Sequence, residues 1–438
     1  MAVTLNTHWF HTVKADPGAA ALMDASTGRV WTRAELAALG ETWAAAHGAA
    51  VAGRRVIFAE ANGPEWFRVF FGLLASGAVV VALDPGEPIM AQRAVARSVG
   101  AAFLWYAGRL EAVGPARRKG RSGTCLLKVT SGSTGTPRAL AFTDGQMAAD
   151  GRQVCATMGI TGKDVNLGCI PLGHSYGLGN LVVPLLLQGT AVVSGVPVLP
   201  QALAAGIAQW RPTIFPAVPA LLRVLAAAEV AAGQLRSLRT VISAGAPLAL
   251  ETAQAFHAKF GLKIHNFYGS SETGGITYDR TGDAALTGRS VGRPLQGVRL
   301  KLSAGGRFWV SSAAVTGAGR FRPADRGELN SRGELVLLGR AGRMVKIAGR
   351  RLDPAEVERA LRQLPGVHDA FVELNRERAD TLAAAVATRL TAAEVRARLQ
   401  DRIAGWKMPK KLLLLPEFPL TARGKTDVRR LRVLLQGG

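Results

Sequence analysis

Apolar positions along the chain switch between the period of a buried strand and the period of a one-sided helix, and that switching predicts an α/β protein. Apolar runs at 56–59, 78–83 and 125–129 read as buried strands, the second ending in the turn Asp84-Pro85-Gly86. Thr32-Arg33-Ala34-Glu35 is a capping box, followed by Leu36, Leu39 and Trp43 on one face and an expected stop at Gly48. The longest apolar run, 69–83, has the length of a buried helix running into a strand and is too short to span a bilayer.

The last hundred residues carry a second pattern. Asp353-Pro354-Ala355-Glu356 predicts a helix start with Val357, Leu361 and Leu364 on the apolar face. Strands are expected at 370–374 and 382–388 around a polar turn at 375–380. Thr391 caps a further helix carrying Val395, Leu399 and Ile403. This reads as a small α+β domain, and the expected division is 1–340 and 341–438.

Composition narrows the class. Hydrophobic residues make up 48% and charged residues 19%, as in a globular protein. The first eighteen residues lack a basic stretch followed by an apolar one, so a secretory signal is not expected. Cys125, Cys155 and Cys169 have no metal-ligand spacing and read as reduced thiols of a cytoplasmic protein. A charge of +23, from 54 Lys and Arg against 31 Asp and Glu, calls for an anionic partner. The excess is spread along the chain without interleaved aromatics, so nucleic acid is not the expected partner.

Candidate chemistry begins after the strand at 125–129. Thr130-Ser131-Gly132-Ser133-Thr134-Gly135-Thr136-Pro137-Arg138 combines small residues, whose backbone N–H groups can converge on an anion, with hydroxyl donors and a closing cation. It lacks the Gly-Lys-Ser/Thr ending of a Walker loop. The stretch resembles the signature loop of the adenylate-forming superfamily, which includes acyl-CoA synthetases, aryl-CoA ligases and peptide-synthetase adenylation domains. Arg138 stands where that family usually has lysine, keeping the charge with a different grip on phosphate.

Further motifs follow in the family's order. Pro171-Leu172-Gly173-His174-Ser175-Tyr176-Gly177 resembles the segment beside the acyl pocket, and the resemblance implies substrate contacts for His174, Tyr176, Gly177 and Gly269. The aspartate that peptide synthetases use to hold an amino acid's ammonium is missing from it. Ser243-Ala244-Gly245-Ala246 resembles the small-residue turn against adenine. In Asn266-Phe267-Tyr268-Gly269-Ser270-Ser271-Glu272 the resemblance implies that Asn266 and Tyr268 meet the nucleotide, Ser271 a phosphate, and Glu272 the Mg²⁺. Asp325 and Arg340 fall where the family contacts ribose, although Pro323-Ala324 departs from the usual flanking residues. Lys346 and Lys425 match the small domain's functional lysines, Lys425 being the catalytic one, and the resemblance implies a rotation that withdraws Lys425 and brings the Gly349 loop to the site. Gly342 replaces the family's charged hinge residue.

The resemblance thus implies a large N-terminal adenylate-forming domain of mixed sheets and helices with a small α+β C-terminal domain. The implied reaction joins ATP with a small carboxylic acid, aryl or medium-chain, and passes the acyl group to coenzyme A or to the phosphopantetheine of an acidic acyl carrier protein. The implied catalytic set is Lys425, Glu272, Arg138 and Lys346. The alternative is a degenerate member that binds nucleotide, or nucleic acid, without turnover.

Overall fold

The computed structural model describes residues 3–114, 123–131, 137–340, 345–347, 350–375, 378, 381–421 and 425–437. In the first sheet, the strands Phe103–Tyr106, Arg55–Phe58, Val79–Ala82 and Thr124–Ser131 lie side by side in parallel. Antiparallel strands Arg109–Ala112 and Pro137–Thr143 close its two edges. The run 69–83 divides as expected, into the end of helix Pro64–Ala75 and the strand Val79–Ala82. All four strand residues are buried, as an interior parallel strand requires.

A second sheet of nine strands centres on the parallel neighbours Val165–Leu167, Ile214–Ala217, Thr240–Ser243 and Ile264–Ser270. Ala217 and Ser243 are register partners at the carboxyl ends of the second and third, and Ser243 pairs with Asn266 of the fourth. Open α/β sheets bind ligands at such ends. A three-stranded sheet, Arg299–Ser303, Arg307–Ser311 and Arg320–Phe321, and the hairpin Asp325–Leu329 with Leu335–Arg340 complete the large domain.

The smaller C-terminal domain has its own cores. One gathers Ile347, Val357, Leu361, Val372, Val386 and Leu399, the other Phe371, Ala385, Phe418 and Leu431. Strands Val367–Leu374 and Leu382–Thr388 pair antiparallel, as their pattern predicts. Lys411–Leu415 pairs in parallel with the second of them, a strand that the sequence pattern did not single out. Polar contacts join the two domains: Arg223 Nη1 to Glu417 Oε1 at 3.0 Å, and Gly366 N donating to Glu251 Oε2 at 3.2 Å. Among the described residues no helix is long and apolar enough to cross a membrane.

The helix capped by Thr32 has its capping box but continues to Val51, a turn past the expected stop at Gly48. Gly48 is a packing position and not a cap: a Cβ there would lie 2.9 Å from Ser76 Oγ. The same pair of helices, Arg33–Val51 and Pro64–Ala75, touches even more closely where a Cβ on Gly72 would stand 2.4 Å from the Trp43 ring. Trp43 is fully buried and cannot yield. Gly72→Ala is therefore expected to destabilise the protein by about 1–3 kcal/mol, read as a lower urea midpoint with an unchanged slope.

Candidate active site

The phosphate-loop motif connects two antiparallel strands. Thr130 and Arg138 face each other across them, with Thr130 Oγ1 donating to the Arg138 carbonyl at 3.4 Å. Ser131 pairs with Pro137 through the backbone, and the Arg138 side chain is exposed. Gly132, Ser133, Thr134 and Gly135 lie outside the described residues.

The next residues converge at the carboxyl ends of the second sheet. The Tyr268 hydroxyl donates to Asp325 Oδ2 at 2.8 Å, and Asp325 is the register partner of Arg340 in the terminal hairpin. Three residues expected at the nucleotide's adenosine end, spread over some seventy positions of sequence, are thus adjacent in space. Asn266 donates through its side-chain amide to the Ser290 carbonyl at 3.2 Å. Beyond Ser243 the chain turns through buried Ala244, Gly245 at φ +88° and half-buried Ala246. The buried Ser243 hydroxyl has no hydrogen-bond partner among the described residues. It stands at the strand end that this turn leaves, a polar atom of the kind that usually finds a partner.

Glu272 lies in the turn between Ile264–Ser270 and Gly274–Tyr278, which excludes a helix-start role for its carboxylate. Its carbonyl accepts from Thr316 N at 2.9 Å, and the residue is half-buried. The adjacent Ser271 hydroxyl accepts from Ser175 at 3.0 Å, joining this turn to the expected acyl segment. Close backbone approach explains two glycines. A Cβ on Gly269 would lie 2.5 Å from the Gly274 carbonyl, and one on Gly177 would lie 2.1 Å from the Pro171 carbonyl.

In the acyl segment His174 Nε2 donates to Asp84 Oδ2 at 2.8 Å. An ionised carboxylate only accepts, so the bond fixes the proton on Nε2. Asp84 is buried, and its other oxygen accepts from Gly86 N at 2.9 Å. The Tyr176 hydroxyl donates to the Ile242 carbonyl at 3.3 Å, and burial pushes its phenol well up.

Several supporting residues escaped the sequence reading. The Asn62 amide donates to the carbonyls of Gly168 and Ile170 at 2.9 and 2.7 Å and accepts from Leu172 N at 2.9 Å, fixing the approach to His174. Lys128, two residues before Thr130, is buried with its ammonium 4.3 Å from the centre of the Phe142 ring. Burial pulls its pKa down, against the opposing pull of Asp150. Asp150 is also buried, which raises its pKa, and its Oδ1 accepts from Gly275 N at 3.0 Å beside the Glu272 turn. A lysine in an apolar strand was the one available sequence signal. Asn62 and Asp150 offered none, since their roles rest on distant chain segments.

In the small domain Lys346 pairs with Arg351 through the backbone, and its side chain lies outside the described residues, as do Gly342 and Gly349. Lys425 is exposed on a turn closed by Thr421 N donating to its carbonyl at 2.7 Å. Cys125, Cys155 and Cys169 are free thiols. Burial pushes Cys155 and Cys169 up to about 12, which leaves them poor nucleophiles.

Among the described residues no cluster of three or more His, Cys, Asp or Glu could cage a metal. A half-buried Glu272 with no ion-pair partner among those residues fits Mg²⁺ instead, an ion that takes one or two carboxylates and keeps phosphate and water as its other ligands.

A large domain with polar groups gathered beyond its sheet ends, followed by a small domain bearing an exposed lysine, is the architecture that the chain presents. Residues 106–338 match the family AMP-binding enzyme, and residues 356–425 match the AMP-binding enzyme C-terminal domain. The chain belongs to this adenylate-forming superfamily. It is 28% identical over 437 aligned residues to feruloyl-CoA synthase of an Amycolatopsis species, covering 86% of this chain and 89% of that protein. Indoleacetate–CoA ligase of Aromatoleum aromaticum is 30% identical over 341, covering 70% and 67%. The fold matches that of ATP-bound MatB from Rhodopseudomonas palustris, with a TM-score of 0.84, 22% identity and 99% of each chain covered.

Removing the charge that orients His174 isolates its role. Asp84→Asn is expected to raise KM for the carboxylic acid about tenfold, the effect of losing one charged hydrogen bond, with KM for ATP unchanged. Equal shifts in both constants would rule out a positioning effect confined to the acid.

Proposed function

We propose that this protein is an acid–thiol ligase that uses Mg·ATP to convert a small aryl acid into its acyl adenylate and then transfers the acyl group to a pantetheine thiol. The observation that carries the reading is the Tyr268–Asp325 hydrogen bond beside the Ser271–Glu272 turn, at the sheet ends of a chain belonging to the AMP-binding family. The feruloyl and indoleacetate ligases among its relatives support an aryl acid over a medium-chain one. Coenzyme A is the acceptor that those relatives' names carry, and the +23 charge suits an acidic carrier protein equally.

In this reading Tyr268 stacks on adenine against the Ala244–Ala246 turn and Asn266, while Asp325 and Arg340 hold the ribose. The loop 130–135 and Arg138 hold the phosphates. Substrate carboxylate oxygen attacks the α-phosphorus, and pyrophosphate leaves. Negative charge builds on the transferring phosphoryl oxygens, so catalysis is mainly positioning and electrostatic stabilisation. Lys425 supplies a cation at that stage. Bound through Glu272, Mg²⁺ would supply Lewis-acid stabilisation of the same charge. The domains divide at residues 340 and 341, and rotation about Gly342 withdraws Lys425 and brings Lys346 and Gly349 to the site. The thiol then loses its proton and attacks the acyl carbon, and AMP leaves. His174, Tyr176, Gly177 and Gly269 line the acyl side.

An acid-dependent ATP–pyrophosphate exchange screen over aryl, fatty and dicarboxylic acids tests the reading. Exchange is expected with aryl acids, and its absence with every acid would leave a nucleotide-binding protein without turnover. Lys425→Ala is expected to lower exchange by at least about a hundredfold, the scale of a lost electrostatic stabiliser, while sparing thioester formation from preformed acyl adenylate. Equal loss of both half-reactions would remove Lys425 from its stage-specific role. Gly342→Pro should slow the second half-reaction more than the first, and unchanged overall turnover would exclude a hinge at that residue.

A further inference from the structure

The three-stranded sheet before the terminal hairpin has one apolar face and one cationic face. Phe308 and Val310 are buried in the large domain's core, with Leu300, Leu302 and Phe321 packed against them. The alternate residues therefore point outward: Arg299 and Lys301 on one strand, Arg307, Trp309 and Ser311 on the next, and Arg320 on the third. Lys301 is the register partner of Trp309, and Arg299 and Arg320 both pair with Ser311. The guanidinium carbons of Arg320 and Arg322 stand 5.3 and 5.4 Å from the centre of the Trp309 ring. Residues 299–322 contain these five cations and no Asp or Glu.

The five cations have no neighbouring carboxylate on their own strands. Arg29, Arg68, Arg93, Arg239, Arg362 and Arg432 each meet a carboxylate. Among the described residues none of the five on this face forms an ion pair. Arg299, Lys301, Arg320 and Arg322 are exposed. Five like charges on a face roughly 10 by 15 Å, as strand spacing and rise dictate, repel one another unless a partner supplies the opposite sign.

We propose that this face docks an acidic carrier protein that delivers the acceptor thiol. Three features select that occupant. The face is an open sheet surface, whereas small molecules such as free coenzyme A bind in concave sites. Two guanidiniums crowd the Trp309 ring, so the indole is not offered for stacking nucleic-acid bases. Its position suits thiol delivery. Asp325, the acceptor of the Tyr268 hydrogen bond, follows Arg322 by three residues, and Arg326 pairs with Asp353, the N-cap of the small domain's first helix. A partner seated on the face therefore lies beside both the candidate nucleotide site and the domain junction. The arginines match carboxylates by paired N–H donation.

The inference rests on thiol transfer as the second half-reaction, so its test uses both binding and turnover. A fluorescently labelled, phosphopantetheinylated acyl carrier protein is titrated with the full-length wild type and with the Arg320→Glu/Arg322→Glu variant, by anisotropy at low and at high salt. Binding is expected at low salt, weakened about tenfold or more in the variant, together with a matching rise in KM for carrier acylation. Pyrophosphate exchange and KM for coenzyme A should not change. Equal carrier affinity of wild type and variant, or no carrier binding by the wild type, overturns the docking face. So does a variant that loses affinity for a short single-stranded DNA while binding the carrier as before. Absent exchange with intact carrier binding would instead count against the ligase reading and leave the docking face standing.

Discussion

The hydrogen bond from Tyr268 to Asp325 ties the main sheet of the large domain to the hairpin that leads into the small one. Tyr268 sits on a strand paired in parallel on one side and antiparallel on the other, with Thr277 as its own partner, and Asp325 begins a hairpin whose last residue is Arg340. With the backbone bonds between Leu335 and Val291 and Gly292, the Tyr268–Asp325 bond fixes where the chain segment that enters the second domain lies relative to the sheet. Asp325 opens that hairpin just beyond the outward-facing cations of the preceding sheet.

Around that tie the site is built from turns that need support from beneath. The Glu272 turn is held by Asp150 through Gly275 N and by Thr316 through the Glu272 carbonyl. The His174 segment is held by Asn62 and Asp84. Burial of Asp150 and Lys128 is costly for each charge alone, and each opposes the other's neutralisation. Fixed dipoles and charges of this kind let a site stabilise developing charge without reorganising during the reaction. The two domains keep separate cores and meet through polar contacts such as Arg223 with Glu417.

Much of the secondary structure was legible because its causes are local. The capping boxes at Thr32 and Thr391 and the N-cap at Asp353 formed where side-chain chemistry predicts them. Apolar runs became strands within three residues of their expected bounds. Gly48 was misread as a stop because glycine serves both as a cap and as a contact, and only the neighbouring helix distinguishes the two. The strand Lys411–Leu415 went unnoticed because its partners lie some thirty residues earlier.

The sequence by itself determined the family, the order of the motifs and the residue types available to each, since these are properties of the linear chain. Tertiary structure alone decided which groups meet: Tyr268 with Asp325, His174 with Asp84, Asp150 with Gly275, and the arrangement of five cations on one sheet face. Those pairings depend on register and on crossing segments far apart in the chain. Hydrogen bonds and charges act over a few ångströms, a range that sequence distance does not encode.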